Sequence, residues 1–285
     1  MSQTSPHQPI AGEGEVAEAA EEPWILVTND DGVDSPALVP LLRRLSPIAL
    51  VRAVVPASER SWASKVLSRF GQLEIRQLQR EEFGVWALEG YPADCANLGM
   101  YTLFPSRPAL VVSGVNVGTN AGLAYFLSSG TVGAAIEGAL AGLPALAFSV
   151  ELKAEDYTRW RQHRDAGAPA LWENAAQVAG QIAAEVWRAG LPEGAALLNV
   201  NMPAEVAPHT PRRFAALTSS CYGSFFASAQ GANCFAYRLE GLRTDDPQGR
   251  GDIAALSRGE VALTPIRLAL DALVEGADRR RFEQP

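Results

Sequence analysis

The chain has 285 residues, of which 47% are hydrophobic and 25 are glycine, so it is long enough to form a large α/β domain with an ample core. Its net charge of -8 and its lack of a visible Lys/Arg cluster argue against a general nucleic-acid binder, which normally carries a basic stripe that neutralises phosphates. With only three histidines, a metal site of several imidazole ligands is nearly excluded, and the three cysteines show no metal-ligand spacing.

Residues 1–22 are acidic, contain no Lys or Arg, and are predicted to form a disordered tail. This start lacks the basic and apolar regions of a signal peptide, and no later segment is apolar for long enough to span a bilayer. The sequence therefore predicts a cytoplasmic protein with reduced cysteines and no membrane partner.

From Trp24 onward, short apolar strands alternate with helical stretches. The predicted elements in chain order are the strand "WILVTN", the helix "ALVPLLRRL", the strand "ALVRAVVP", the helix "DCANLGMYTLF", the strand "PALVVSGVN", the helix "TVGAAIEGALAG" and the strand "PALAFSV". Near-continuous apolar strands between helices are typical of a parallel sheet that is covered on both faces. The pattern predicts a doubly wound α/β fold.

A long amphipathic helix is predicted over about 168–190, followed by the strand "AALLNVNMP". After Pro203 the chain becomes aromatic and rich in Ser and Gly, which indicates a hairpin arm near 221–240. We predict that this arm joins a partner subunit, because its Phe and Tyr side chains carry too much apolar surface to leave in water; the alternative is a hairpin folded back on its own domain.

Polar side chains collect where the predicted strands end, which is where open α/β sheets bind ligands. They are Asn29, Asp30 and Asp31 after the first strand, Ser61 after the second, Asn116 and Asn120 at the third, and Ser129, Gly130 and Thr131 directly before a helix. Carboxylate, hydroxyl and amide oxygens suit a hard cation such as Mg²⁺ or Mn²⁺, whereas "SSGT" at a helix N-terminus favours an anion such as phosphate. Together they predict phosphoryl chemistry at a metal site.

Each of these motifs also has a local structural explanation. Asp-Asp-Gly is most often a turn or a helix cap, "SGVNVGTNAG" could be a flexible loop, and "SSGT" is first of all an N-cap. Their recurrence at successive strand ends is what favours the functional interpretation.

The motifs resemble those of the SurE family of survival-protein phosphatases. "ILVTNDDGVDSP", "VVPASERSWAS", "GYPADCANLGM", "PALVVSGVNVGTNAG", "SSGTVGAAIEGALAGLPALAFSV" and "LLNVNMP" occur in the family's order. The resemblance covers about residues 24–203, and "GRGDIAALSRGEVALTPI" is similar to a degenerate copy of the family's C-terminal segment.

The resemblance implies a Rossmann-like core with a mostly parallel sheet, and C-terminal elements that are exchanged between the subunits of a homodimer or homotetramer. The predicted organisation is a disordered tail over 1–22, a core over 23–203, and hairpin and oligomerisation elements over 204–285 that complete the same domain. The implied activity is metal-dependent hydrolysis of nucleoside 5'- and 3'-monophosphates or other small phosphate esters, with no nucleic-acid duplex as partner.

Matching motif to motif, the resemblance implies one divalent ion per subunit, Mg²⁺ or Mn²⁺, with these ligands: Asp30, Asp31, Ser61 and Asn116. The phosphate-binding residues fall on Asn29, Asn120, Ser129, Gly130 and Thr131, and the catalytic ones on Asp30, Asp31 and Asn120. Asp94 of "PADC" either caps its helix and braces the site or contacts the ligand.

The chain departs from the family pattern beside these positions. Asp34-Ser35-Pro36-Ala37 stands where the family usually reads His-Ala-Pro-Gly, and Trp62 replaces a glycine. Tyr91-Pro92-Ala93 replaces the usual Thr-Pro-Thr, and Ser128 replaces a Tyr. None of these changes removes a metal ligand, but bulk at Trp62 and Tyr91 is expected to reshape the nucleoside pocket or to stack on a base.

The sequence leaves the attacking group undecided and allows two rival assignments of the protein class. The attacking group is either a water activated by the ion or an aspartate that forms an acyl phosphate. A haloacid dehalogenase type of phosphatase is disfavoured, because Gly32 follows the acidic pair where that class has Asp-x-Asp. The rival from another class is a catalytically lapsed nucleotide-binding or scaffolding protein, against which the intact ligand set argues.

Overall fold

The computed structural model of the chain describes residues 22–163, 167, 169–231, 233–238, 241–271 and 276–283. The predicted disordered tail lies outside the described residues, apart from Glu22. Within the described part of the chain, no helix is both long and apolar enough to cross a membrane.

Strands and helices alternate along most of the chain. The strands are β1 (Trp24–Thr28), β2 (Leu50–Pro56), β3 (Ile75–Arg80), β4 (Phe83–Leu88), β5 (Leu110–Val117), β6 (Ala145–Val150), β7 (Leu197–Met202), β8 (Arg212–Phe214), β9 (Ser219–Cys221), β10 (Phe226–Ser228), β11 (Phe235–Tyr237), β12 (Arg243–Asp245) and β13 (Val261–Ile266). The helices are α1 (Leu38–Leu45), α2 (Pro92–Tyr101), α3 (Leu123–Ser128), α4 (Gly130–Leu140), α5 (Ala154–His163), α6 (Pro169–Ala189), α7 (Asp252–Ser257) and α8 (Gly276–Phe282).

The central sheet has nine strands in the order β3-β4-β2-β1-β5-β6-β7-β13-β8. β4, β2, β1, β5, β6 and β7 are parallel, whereas β3 and β13 run antiparallel to β4 and β7. The doubly wound, mostly parallel α/β fold is therefore confirmed. Because β2 and β5 flank β1 on opposite sides, the winding of the chain reverses at β1, and a crevice opens at the carboxyl ends of β1 and β5.

Alternating side chains of β1 enter two cores, as the pleat of a strand requires. Ile25 and Val27 pack into the cluster that contains buried residues of α1 and α6, and Trp24 and Leu26 into the cluster of α2 and α4. All four side chains are fully buried, and burial of such a side chain contributes about 1.5–3 kcal/mol. β1 therefore lies between the two cores at the centre of the molecule.

The predicted arm consists of two nested antiparallel hairpins. β9 pairs with β12, and β10 pairs with β11, which both lie between β9 and β12 in the sequence. Cys221 lies opposite Arg243, and no disulfide joins the described cysteines. β8 and β13 flank this arm in sequence and belong to the central sheet; the domain boundary at residue 203 stays a prediction.

Candidate active site

Asp30 and Asp31 lie directly after β1, and they are buried, with 3% and 7% of their surface exposed. Asn29 shapes the turn that carries them: its Oδ1 accepts the Gly32 N–H and its Nδ2 donates to the Gly32 carbonyl, both at 3.0 Å. Asn29 therefore stabilises this turn. A contact between Asn29 and phosphate stays a prediction.

The loop after β2 lies against the acidic turn. Gly32 has a φ of +88°, and a Cβ on it would come within 2.8 Å of the Ser58 carbonyl carbon, so only glycine allows this approach. The Arg60 N–H donates to the Asp30 carbonyl at 2.7 Å. These contacts bring the loop of Ser61 beside the two aspartates.

The N-terminus of α4 meets Asp30. The Thr131 hydroxyl donates to Asp30 Oδ1 at 2.5 Å, and a Cβ on Gly130 would lie 2.9 Å from the Asp30 Cβ. Burial raises the pKa of Asp30 to about 6, because the loss of water outweighs the hydrogen bonds from Thr131, and the nearby charge of Glu59 adds to the rise. The predicted metal pair and phosphate turn are thus in direct contact.

Asp31 is attached to the end of β5. The Val117 N–H donates to Asp31 Oδ2 at 2.9 Å, next to Asn116 in the sequence. Pairing between β5 and β6 shifts between Ser113 and Asn116, which marks an irregularity at the site. The Asn116 Nδ2 donates to the Gly118 carbonyl at 2.7 Å, and this fixes the amide so that Oδ1 is the atom suited to a cation.

Ser61 is held by Glu59, which is paired in turn with Arg161; sequence reasoning assigned neither of them to the site. The Ser61 hydroxyl donates to Glu59 Oε1 at 2.6 Å, which leaves the oxygen lone pairs for a cation. Arg161 Nη1 donates to the same Glu59 oxygen at 2.6 Å. Arg161 comes from α5, a helix that the sequence analysis did not predict, and no signal in the sequence connects it with Ser61.

Asn120 belongs to a buried polar network at the ends of β6 and β7. Its Nδ2 donates to Ser149 Oγ at 2.7 Å and its N–H to Asn201 Oδ1 at 2.8 Å, while its carbonyl accepts from Asn199 Nδ2 at 3.2 Å. The structure therefore turns the Asn120 amide nitrogen towards Ser149. The two asparagines of "LLNVNMP" could have indicated this network from the sequence, because polar side chains at alternate positions of a buried strand need hydrogen-bond partners.

Ser129 and Asp94 act as helix caps. Ser129 Oγ accepts the Val132 N–H at 3.1 Å at the start of α4. Asp94 Oδ2 accepts from the Tyr91 N–H at 2.9 Å and from Ser68 Oγ at 2.7 Å, and its Oδ1 accepts the Ser68 N–H at 2.8 Å. Of the two roles open for Asp94, the structure supports the cap and the brace of the Ser68 loop.

The residues at this crevice fit a hard divalent cation. Their oxygen donors come from carboxylates, a hydroxyl and an amide, and the raised pKa of Asp30 indicates a buried carboxylate that nearby positive charge would stabilise. Within the described residues, no group of three or more His, Cys, Asp or Glu side chains could hold a metal ion.

Comparisons with known proteins identify the family of the chain. Residues 25–223 match the family model described as "Survival protein SurE". The 5'-nucleotidase SurE of Methanocella arvoryzae is 32% identical over 90% of this chain and 97% of its own length, and that of Archaeoglobus fulgidus is 34% identical over 88% and 94%. The crystal structure of the SurE protein from Aquifex aeolicus matches with a TM-score of 0.69 and 27% identity, covering 87% of this chain and 95% of that one. The resemblance in the sequence motifs is therefore confirmed, and the chain belongs to the SurE family.

Proposed function

We propose that this protein is a divalent-metal-dependent phosphatase that hydrolyses nucleoside 5'- and 3'-monophosphates. The observation that carries the proposal is the direct contact between Asp30 and the first turn of α4, at the reversal point of the sheet. An anion-binding helix end beside a buried acidic pair suits a phosphate ester bridged to a cation. The relatives named above are 5'-nucleotidases, which supports the same substrate class.

One ion per subunit, Mg²⁺ or Mn²⁺, is proposed to be held by these ligands: Asp30, Asp31, Ser61 and Asn116. When bound, such an ion supplies neutralising charge to the phosphate and activates the attacking group. The protein supplies position: Thr131 fixes Asp30, and Val117 fixes Asp31. Gly130 and Thr131 would stabilise charge that develops on the phosphoryl oxygens, because backbone N–H groups at a helix N-terminus favour anions.

Phosphate release from AMP, measured with Mn²⁺, with Mg²⁺ and with EDTA, tests the proposal. We expect EDTA to abolish turnover, and Asp31→Asn to lower kcat/KM at least about a hundredfold because it removes one charged ligand. Asp34→Asn is the matched control: this aspartate lies in the same loop, but its side chain is 82% exposed and pairs with Arg80.

Two results would contradict the assignment. Full activity of Asp31→Asn at saturating Mn²⁺ would remove Asp31 from the site. Binding of AMP by the wild type without metal-dependent turnover would instead favour the nucleotide-binding scaffold.

The partners follow from the same proposal. The substrate is a small phosphate ester, and the subunits are proposed to form a homodimer or homotetramer through the C-terminal elements. The cytoplasmic location expected from the sequence stays a prediction.

A further inference from the structure

Trp62 occupies an unusual place beside the proposed metal ligand Ser61. Its φ is 62°, in the left-handed region that side chains of its size rarely adopt, and 45% of its surface is exposed. A large aromatic residue in this backbone conformation must be held in place by contacts with its neighbours.

Four aromatic rings fix the indole of Trp62. Their centroids lie 5.7 Å (Tyr125), 5.6 Å (Tyr222), 5.4 Å (Phe225) and 6.4 Å (Tyr237) from it. The interplanar angles lie between 49° and 78°, so none of these four rings stacks parallel on the indole. The arm and α3 therefore support Trp62 and leave it able to take a stacked partner.

Trp62 lines a pocket of about 570 Å³. Ser61, Tyr91, Arg60 and Arg161 line the same pocket, whereas the four supporting rings do not. Arg60 lies over the Tyr91 ring at 5.6 Å. The volume is within the range of small-molecule sites. The aromatic side chains of Trp62 and Tyr91 and the proposed metal ligand Ser61 line this same pocket.

We infer that Trp62 is a specificity-determining residue that stacks on the base of a nucleoside monophosphate while the phosphate is held beside Ser61. The inference rests on the proposed phosphatase function and names the part of the substrate that this chain selects. An aromatic base fits the pocket because every base offers a π-face to a neighbouring ring. A phosphate ester without a base cannot make this stacking contact with Trp62.

The test compares AMP with ribose 5-phosphate, which keeps the sugar and the phosphate and lacks the base. In the wild type, kcat/KM for AMP should exceed that for ribose 5-phosphate at least about tenfold, the effect of one base–aromatic stack. Trp62→Leu should lower this ratio about tenfold, whereas Trp62→Phe, which keeps an aromatic ring, should retain most of it. Tyr101→Leu is the control, because Tyr101 is a similarly exposed aromatic residue at the end of α2 that does not line the pocket, and its ratio should equal that of the wild type.

The outcomes separate this inference from the proposed function. Equal kcat/KM values of the wild type for AMP and ribose 5-phosphate would overturn the inference while leaving the phosphatase intact, and this result does not depend on the folding of any variant. An unchanged ratio in an active Trp62→Leu protein would overturn it as well. No metal-dependent turnover of either substrate by the wild type would instead contradict the proposed function.

Discussion

The carboxyl group of Asp30 should make the stability of the metal-free protein depend on pH. Its pKa is about 6 in the folded protein, against an ordinary value of 3.8. Below that ordinary value the group is protonated in both states, and above about pH 6 it is ionised in both. Between these limits the unfolded chain loses the proton first, so the free energy of unfolding should fall by about 3 kcal/mol as pH rises.

Urea unfolding in EDTA between pH 4 and about 7 measures this effect. Asp30→Asn cannot titrate, so the stability of the wild type relative to this variant should decrease across the window. Mn²⁺ added at the upper end should stabilise the wild type more than the variant, because the ion binds the folded state. Parallel pH curves for the two proteins would contradict the prediction.

At the scale of elements, Asp252 joins the C-terminal segment to the loop that carries Asn120. The side chain of Asp252 is fully buried at the start of α7. Its Oδ2 accepts the Gly122 N–H at 2.9 Å, and its Oδ1 accepts the N–H groups of Thr218 at 3.0 Å and Ile253 at 2.9 Å. A single carboxylate thus ties α7 to the start of α3 and to the base of the arm.

Asp252→Ala should lower the free energy of unfolding by about 3 kcal/mol, because it leaves buried backbone donors without their acceptor. Urea denaturation measures the loss. Asp245→Asn, on the exposed strand β12, is the control and should change stability by less than about 0.5 kcal/mol. Equal stabilities of the two variants would show that the buried carboxylate does not hold these elements together.

The sequence predicts those elements whose side chains are apolar along the whole strand or along one helix face. β1, β5 and β7 are buried throughout, and their apolar runs indicate parallel strands. β3 is an exposed edge strand of mostly polar residues, and α5 buries only Trp160 among its described side chains. Neither has the hydrophobic period that sequence reasoning needs, and both were missed.

The same limit applies to the site. Asp30 and Thr131 are 101 residues apart and in contact, as expected for residues at carboxyl ends of one sheet and at the following helix. The contact of Arg161 with Glu59 depends on how α5 packs, which no local pattern specifies. At the site, the types of residue that meet could be predicted from the sequence, whereas the contacts that depend on helix packing could not.

At the scale of the whole molecule, the arm packs some of its aromatic side chains on its own chain and leaves others exposed. Phe225 and Tyr237 pack on Trp62 of the same chain. Phe226 and Phe235, in contrast, have 62% and 68% of their surface exposed. Exposed aromatic side chains on a two-stranded hairpin are typical of an interaction surface.

We therefore predict that a second copy of the chain covers Phe226 and Phe235. Light scattering at micromolar concentration should give two or four times the chain mass of 30.4 kDa. The double substitution Phe226→Ser and Phe235→Ser should weaken assembly at least about tenfold, because it removes apolar surface from the contact. Phe70→Ser, at an exposed phenylalanine outside the predicted oligomerisation elements, should leave the mass unchanged. A wild-type mass of one chain would exclude the exchange of the arm and leave it folded on its own domain.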